Sequence, residues 1–228
     1  MSVTVTAMIR WAACDPDSGS FAGEGADEQL PAASTIKLFV ASAFWRSLLD
    51  PDELVECAPA AGSAGLAEYL SASARLTLGD LALAMLAVSD NAATNVLIDR
   101  LGLDAVNAEI ARLGLERTGL RRRMMADGPE NVTSAGDLAR GLAALADHAE
   151  IRRALAVGSE TASILPAYLS GVAVFPKSGE REDVRHEAAL LEQGGRRLAV
   201  AVLSSPRALP HELAFAVARI WRNASNHY

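Results

Sequence analysis

The spacing of hydrophobic positions changes twice along the chain. Near the N-terminus Val3, Val5, Ala7 and Ile9 recur at every second position, which predicts a half-buried strand over residues 3–11. Residues 15–19 read as a turn, and residues 20–22 begin a short partner strand. From Pro31 onward the period lengthens. Ile36, Leu38, Phe39, Val40, Phe44, Trp45 and Leu48 lie nearly all round a helical wheel. That predicts a helix opening at residues 31–34, running to about residue 49 and buried on every side. Thr77 and Asp80 form a capping-box pattern before a helix over 81–88. Two more helices are predicted over 92–101 and 104–113, each followed by a glycine, Gly102 and Gly114, where a left-handed residue ends a helix. Ser134 and Asp137 repeat the capping pattern before residues 138–146. Strand signals then return over 172–177, 184–191 and 197–204, with Gly194 and Gly195 as the last hairpin turn. Residues 211–222 carry Leu213, Phe215, Ala216, Ala218 and Ile220 and predict a helix lying on the sheet.

Strands at both ends with helices between them mean that the two termini build one sheet and the helical block is inserted. The expected fold class is α+β, a single domain over 1–228. Its α/β lobe comes from 1–32 and 165–228, and its helical lobe from 33–164. The 228 residues are enough for two lobes sharing a core. The default place for a site is between them.

Composition narrows the function classes. Half the residues are hydrophobic and 21% are charged, which is globular rather than disordered. The net charge of −7, with Arg121–Arg123 as the only tight basic cluster and 5% aromatics, excludes a nucleic-acid partner. Apolar runs such as 81–88 fall far short of the ~20 residues of a membrane span, so no span is expected. The first residues show no basic n-region or long apolar stretch. The chain as written is therefore expected in the cytoplasm, or in the periplasm or outside the cell if it is a mature protein. Cys14 and Cys57 fit a disulfide or two free thiols. The four histidines show no metal-ligand spacing, since neither His186-Glu187 nor His211-Glu212 is followed by a second histidine one turn on. No metal or cofactor is expected.

Three short elements carry candidate chemistry. In Ser34-Thr35-Ile36-Lys37 the serine starts the buried helix and the lysine sits one turn on, within reach of its hydroxyl. A desolvated lysine can lose its proton and activate a serine as nucleophile. The plain alternative is a helix cap with a snorkelling lysine, and such a tetrapeptide arises about once per chain of this length. A lysine inside an otherwise apolar helix sits awkwardly with that alternative. Ser89-Asp90-Asn91 falls in the break between two helices, and Lys177-Ser178-Gly179 ends a strand where glycine admits close approach. By chance these two occur in roughly a few per cent and about a tenth of chains this size.

With these three elements in this order, the sequence resembles the serine β-lactamase and penicillin-binding protein superfamily, most closely its class A-like serine hydrolases. The likeness extends through PAASTIKL, GSAGL, LTLGDLALAMLAVSDNAATNVLIDRLG, ENVTSAGDLARGL and FPKSGEREDVRHEAAL, almost the whole chain. It implies a five-stranded antiparallel sheet flanked by helices, plus an inserted helical lobe. It also implies that Ser34 is acylated with Lys37 as proton partner, that Ser89 passes a proton to the leaving nitrogen, and that Asn91 holds Lys37 and substrate. Lys177, Ser178 and Gly179 would bind the substrate, with Arg185 helping to hold its carboxylate. The N–H groups of Ser34 and Glu180 would form the oxyanion hole. His186 is expected to be structural.

One departure matters. Only 87 residues separate Ser89 from Lys177, and the E-x-x-L-N loop whose glutamate activates the deacylating water is missing. RRRMMADGPENVT stands there, and its carboxylates, Asp127 and Glu130, read better as solvated loop charge. The expected function is a serine hydrolase forming an acyl-enzyme at Ser34, with β-lactam ring hydrolysis the nearest activity and deacylation slow. An esterase, thioesterase or amidase acting inside the cell on a non-β-lactam metabolite is the alternative, or a penicillin-binding module with little turnover. The expected partner is a small molecule with an amide or ester carbonyl and a carboxylate.

Overall fold

The computed structural model describes residues 8–57, 65–71, 73–161 and 163–224. Strand β1 (Met8–Cys14) turns into β2 (Phe21–Glu24), and β3 (Leu30–Pro31) leads to the first helices. Residues 3–7 of the predicted first strand lie outside the described residues. In β1, Ile9 is more exposed than its neighbour Arg10, whose guanidinium is held by Glu28. The helix expected from Pro31 begins as a 3-10 turn (Ala33–Ile36) and continues as α1 (Lys37–Arg46). A small hairpin of β4 (Leu54–Glu56) and β5 (Arg75–Thr77), not anticipated, precedes α2 (Leu78–Ala87). There the Thr77–Asp80 capping box forms in both directions. Helices α3 (Asn91–Leu101) and α4 (Leu103–Arg112) meet at Gly102, whose φ is +80°. After the short β6 (Val132–Thr133), which pairs with β3, Ser134 caps α5 (Ala135–Ala144). Helix α6 (Ala149–Thr161) was not foreseen.

A 3-10 turn (Leu165–Tyr168) leads into the meander β7 (Ala173–Glu180), β8 (Arg185–Gln193) and β9 (Arg196–Ser205), and α7 (Pro210–Ala224) closes the chain. The five-stranded sheet is antiparallel, ordered β2-β1-β9-β8-β7. The long strands bury both faces. Ala188, Leu190, Ala199, Ala201 and Leu203 join the core of the helical block, while Ala189, Leu191, Leu198, Val200 and Val202 pack with Leu213, Val217 and Trp221 of α7. Two buried faces explain why 197–204 is nearly all apolar rather than alternating. Each fully buried Leu, Val or Phe side chain stabilises the fold by about 1.5–3 kcal/mol. Cys14 and Cys57 are buried free thiols. Among the described residues no helix is long and apolar enough to cross a membrane.

Candidate active site

Strand β7 is the sheet edge, and the turn carrying Ser34 packs against it. Ala33, just before Ser34, takes φ +47°, a left-handed conformation that a residue with a Cβ holds only where its surroundings fix it. Two contacts do so. Ala32 N–H donates to Asn131 O at 2.7 Å, and His186 Nε2 lies 2.8 Å from Pro31 O. Burial pushes the His186 pKa down, and a neutral imidazole meets a carbonyl oxygen only as donor. The histidine is thus a strut under the serine turn, as expected. Ser34 itself is half-buried.

Lys37 is fully buried. Desolvation, then the charge of Lys177, hold its pKa well below the ordinary lysine value, with Asp90 opposing. Its amine reaches Ser89 O at 2.5 Å, Asn91 Oδ1 at 2.7 Å and Ser89 Oγ at 3.1 Å. Among the described residues no hydrogen bond joins it to Ser34 Oγ, the partner that sequence spacing suggested. A neutral amine has two N–H groups and one lone pair. The two shorter contacts go to oxygens that only accept, so they take the N–H groups and leave the lone pair for a hydroxyl proton.

The Ser89-Asp90-Asn91 tripeptide divides its labour. Asp90 is buried and builds the joint between α2 and α3. Its carboxylate accepts Ala93 N–H as the cap of α3 and Ala67 N–H from the segment opposite. Ser89 sits at φ +58°, which turns both its carbonyl and its hydroxyl onto Lys37. From the other side, Lys177, 3% exposed, donates to Ser89 Oγ at 3.1 Å and to Ser178 O at 2.8 Å. Burial lowers Lys177 to about 8, with Glu187 opposing. One hydroxyl therefore stands between two amines of depressed basicity, an arrangement able to pass a proton in either direction.

Arg181 N–H donates to Val184 O, so 181 and 184 form a hydrogen-bonded pair and Glu180–Arg185 is the adjacent non-bonded pair. The Glu180 N–H consequently points out of the sheet at the open edge of β7. A Cβ on Gly179 would stand 3.1 Å from the nitrogens of Ser34 and Thr35, so glycine is what lets the strand and the serine turn meet. Ser178 faces the other side of the sheet, opposite Glu187. Arg185 is not offered to the cleft. Its Nε and Nη2 hold the Glu180 carboxylate at 3.2 and 2.9 Å, and Nη1 donates to Ala208 O. Arg207 also holds Glu180.

The RRRMMADGPENVT loop is closed at its base by Asn131, which accepts from Arg121 and Arg122 N–H and donates to Arg122 O. Glu130 is partly exposed, and its carboxylate is not free. Arg122 and Arg181 both bind it. Burial raises its pKa, and the two guanidinium groups outweigh that and hold it below the usual range. Asp127 is exposed. Three residues escaped sequence reasoning. Asn95 grips the Met124 backbone in both directions, and its signal was a polar residue one turn beyond Asn91 on the same helix face. Met124 is half-buried against the core. Glu187 interrupts an apolar strand. Among the described residues no cluster suits a metal ion.

Residues 5–228 match the profile of the beta-lactamase enzyme family, and the chain belongs to that family. The fold is similar to a β-lactamase from Sphaerobacter thermophilus, with 27% identity, 96% of this chain and 90% of the other covered, and a TM-score of 0.82. It is similar to PBP-A, with 25% identity, 100% and 93% covered, and a TM-score of 0.85. A leucine-to-glutamate variant of PBP-A, solved as an acyl-enzyme complex with penicillin G, is 25% identical over 97% of this chain and 91% of its own, with a TM-score of 0.85. No curated protein sequence matches. The chain is thus a class A β-lactamase-like serine hydrolase acting on a small molecule.

Proposed function

We propose that Ser34 forms an acyl-enzyme and that penicillins acylate it faster than they leave. The observation that carries this is the Ser89 hydroxyl bridging Lys37 and Lys177 beside the Ser34 turn. Ser34 Oγ attacks the carbonyl carbon, and its proton goes to the Lys37 lone pair. The oxyanion is held by the N–H groups of Ser34 and Glu180. As the C–N bond breaks, the leaving nitrogen takes a proton from Ser89, which recovers one from its lysine neighbours. An ester on Ser34 remains. Lys177 attracts a substrate carboxylate as a point charge. Hydrolysis of the ester needs a base for water, and the loop offers only Glu130, bound by two arginines, and exposed Asp127. The PBP-A variant held as a penicillin G acyl-enzyme supports the reading.

One observation favours a second reading, an ester, thioester or amide that is not a β-lactam. Arg185, expected to help hold a carboxylate, is already engaged by Glu180. The test is labelling by a neutral fluorophosphonate and by penicillin G. Both should modify wild type at Ser34, Ser34→Ala should take neither, and Lys37→Ala should slow both severely. Labelling of Ser34→Ala at the wild-type rate would place the nucleophile elsewhere.

A further inference from the structure

A second cavity, of about 170 Å³, is lined by Ile164, Ser178, Glu180, Arg185, Glu187 and Pro210. Ser178 also lines the cavity holding Ser89 and Lys177, so the two lie side by side along the open edge of β7. Glu187 is 6% exposed, and its buried Oε2 has no hydrogen-bond partner among the described residues. A buried carboxylate oxygen left unpaired is costly unless a donor arrives. The other charges do not supply one. Arg185 and Glu180 satisfy each other, Arg207 adds to that pair, and Lys177 is turned to the opposite face of the sheet, onto Ser89. The carboxylate is thus the unspent charge facing this cavity.

We propose that this cavity is a subsite for a protonated amine on the leaving-group side of the substrate, with Glu187 as its acceptor. It deepens the acyl-enzyme reading, on which it rests, by naming the substrate class: an ester or amide whose departing portion carries an ammonium group. The leaving-group side is chosen because Ser178 joins this cavity to the one that holds Ser89 and Lys177. Burial raises Glu187 to about 7, against the pull of Lys177 and then Arg185, with Glu180 adding to the rise, so the carboxylate ionises as the pH passes neutrality. A charge-assisted contact is formed at little further desolvation cost, because the carboxylate is already out of water.

The probes are 3-(aminomethyl)phenyl phenylacetate and its uncharged isostere 3-ethylphenyl phenylacetate, each acylation rate divided by the ester's rate with hydroxide. At pH 8 the amine ester should react about tenfold faster or more than the isostere in wild type, a factor set by the strength of a charged hydrogen bond. In Glu187→Gln that ratio should drop by about tenfold. A ratio near one in wild type, or one unchanged in Glu187→Gln, overturns the subsite, and if the variant does not fold the wild-type ratio decides alone. Fluorophosphonate labelling of Ser34 reports the acyl-enzyme reading separately. Calorimetry of benzylammonium with Ser34→Ala needs no acylation: binding that is lost on adding Glu187→Gln supports the subsite, and no binding overturns it.

Discussion

Ser89 Oγ lies 3.1 Å from both Lys37 Nζ and Lys177 Nζ, and the two lysines want opposite protonation states. Lys37 must be neutral to accept a proton, and its burial makes the neutral form available at a lower pH than a solvated lysine would allow. Lys177 must be charged to attract an anion, and it loses its proton at about 8. The sign follows. Below about 8 Lys177 carries its charge, and above it the attraction fades while Lys37 remains a base. Acylation by anionic penicillin should therefore fall as pH rises from 8 to 10, whereas acylation by a neutral aryl ester should not. Stopped-flow acylation rates across that range check it, and superimposable profiles would remove Lys177 from carboxylate binding. Lys177→Ala should abolish the difference at pH 7 by slowing penicillin more than the ester.

Two elements meet at Gly179, the edge of β7 and the 3-10 turn that carries Ser34. A methyl group there would press on Thr35 Cγ2 at 3.0 Å and on the Ser34 and Thr35 nitrogens at 3.1 Å, displacing the N–H that would face the oxyanion. Misplacing a reacting group by about 1 Å costs on the order of 100-fold, so Gly179→Ala should slow fluorophosphonate labelling by about 10- to 100-fold. Thermal unfolding should show the variant still folded, and an unchanged labelling rate would mean that the edge does not set the turn. This glycine was legible in the sequence as part of Lys177-Ser178-Gly179. So were the capped helices and the last three strands, because caps, glycine stops and strand-length apolar runs are local signals. Helix α6 was not, because Ala149–Thr161 mixes charged, small and apolar residues without a cap signal. The Lys37 contacts were not either. Spacing places Lys37 near Ser34, but the left-handed backbone of Ser89, 52 residues away, decides where the amine goes. Arg185 reads in the sequence as a carboxylate helper or a solvent-facing strand residue because its partner Glu180 sits across a turn and Ala208 lies in the link between β9 and α7.

Across the whole molecule, the loop over 121–131 joins the two sides of the cleft. Asn95 pins it at Met124, one turn along α3 from the Asn91 that holds Lys37, while Glu130 ties it to Arg181 in the β7–β8 turn. The loop residue pinned one turn along α3 from Asn91 is thus a methionine, not a carboxylate. A general base is worth about 100- to 10,000-fold. Met124→Glu should shorten the penicilloyl-enzyme lifetime by about 100-fold, read as steady-state turnover of a chromogenic cephalosporin. Glu130→Gln should leave that turnover as it is, costing no more than about 1 kcal/mol of stability for a partly exposed ion pair. Loss of turnover in Glu130→Gln, with the adduct trapped, would make Glu130 the base after all. The most direct measurement is the intact mass of the protein followed in time after mixing with penicillin G. One acyl group should appear on Ser34 and persist long after mixing, and Ser34→Ala should stay at its own mass throughout. Return of the wild type to its unmodified mass while penicillin continues to be consumed rapidly, or an equal adduct on Ser34→Ala, would contradict a slow acyl-enzyme at Ser34.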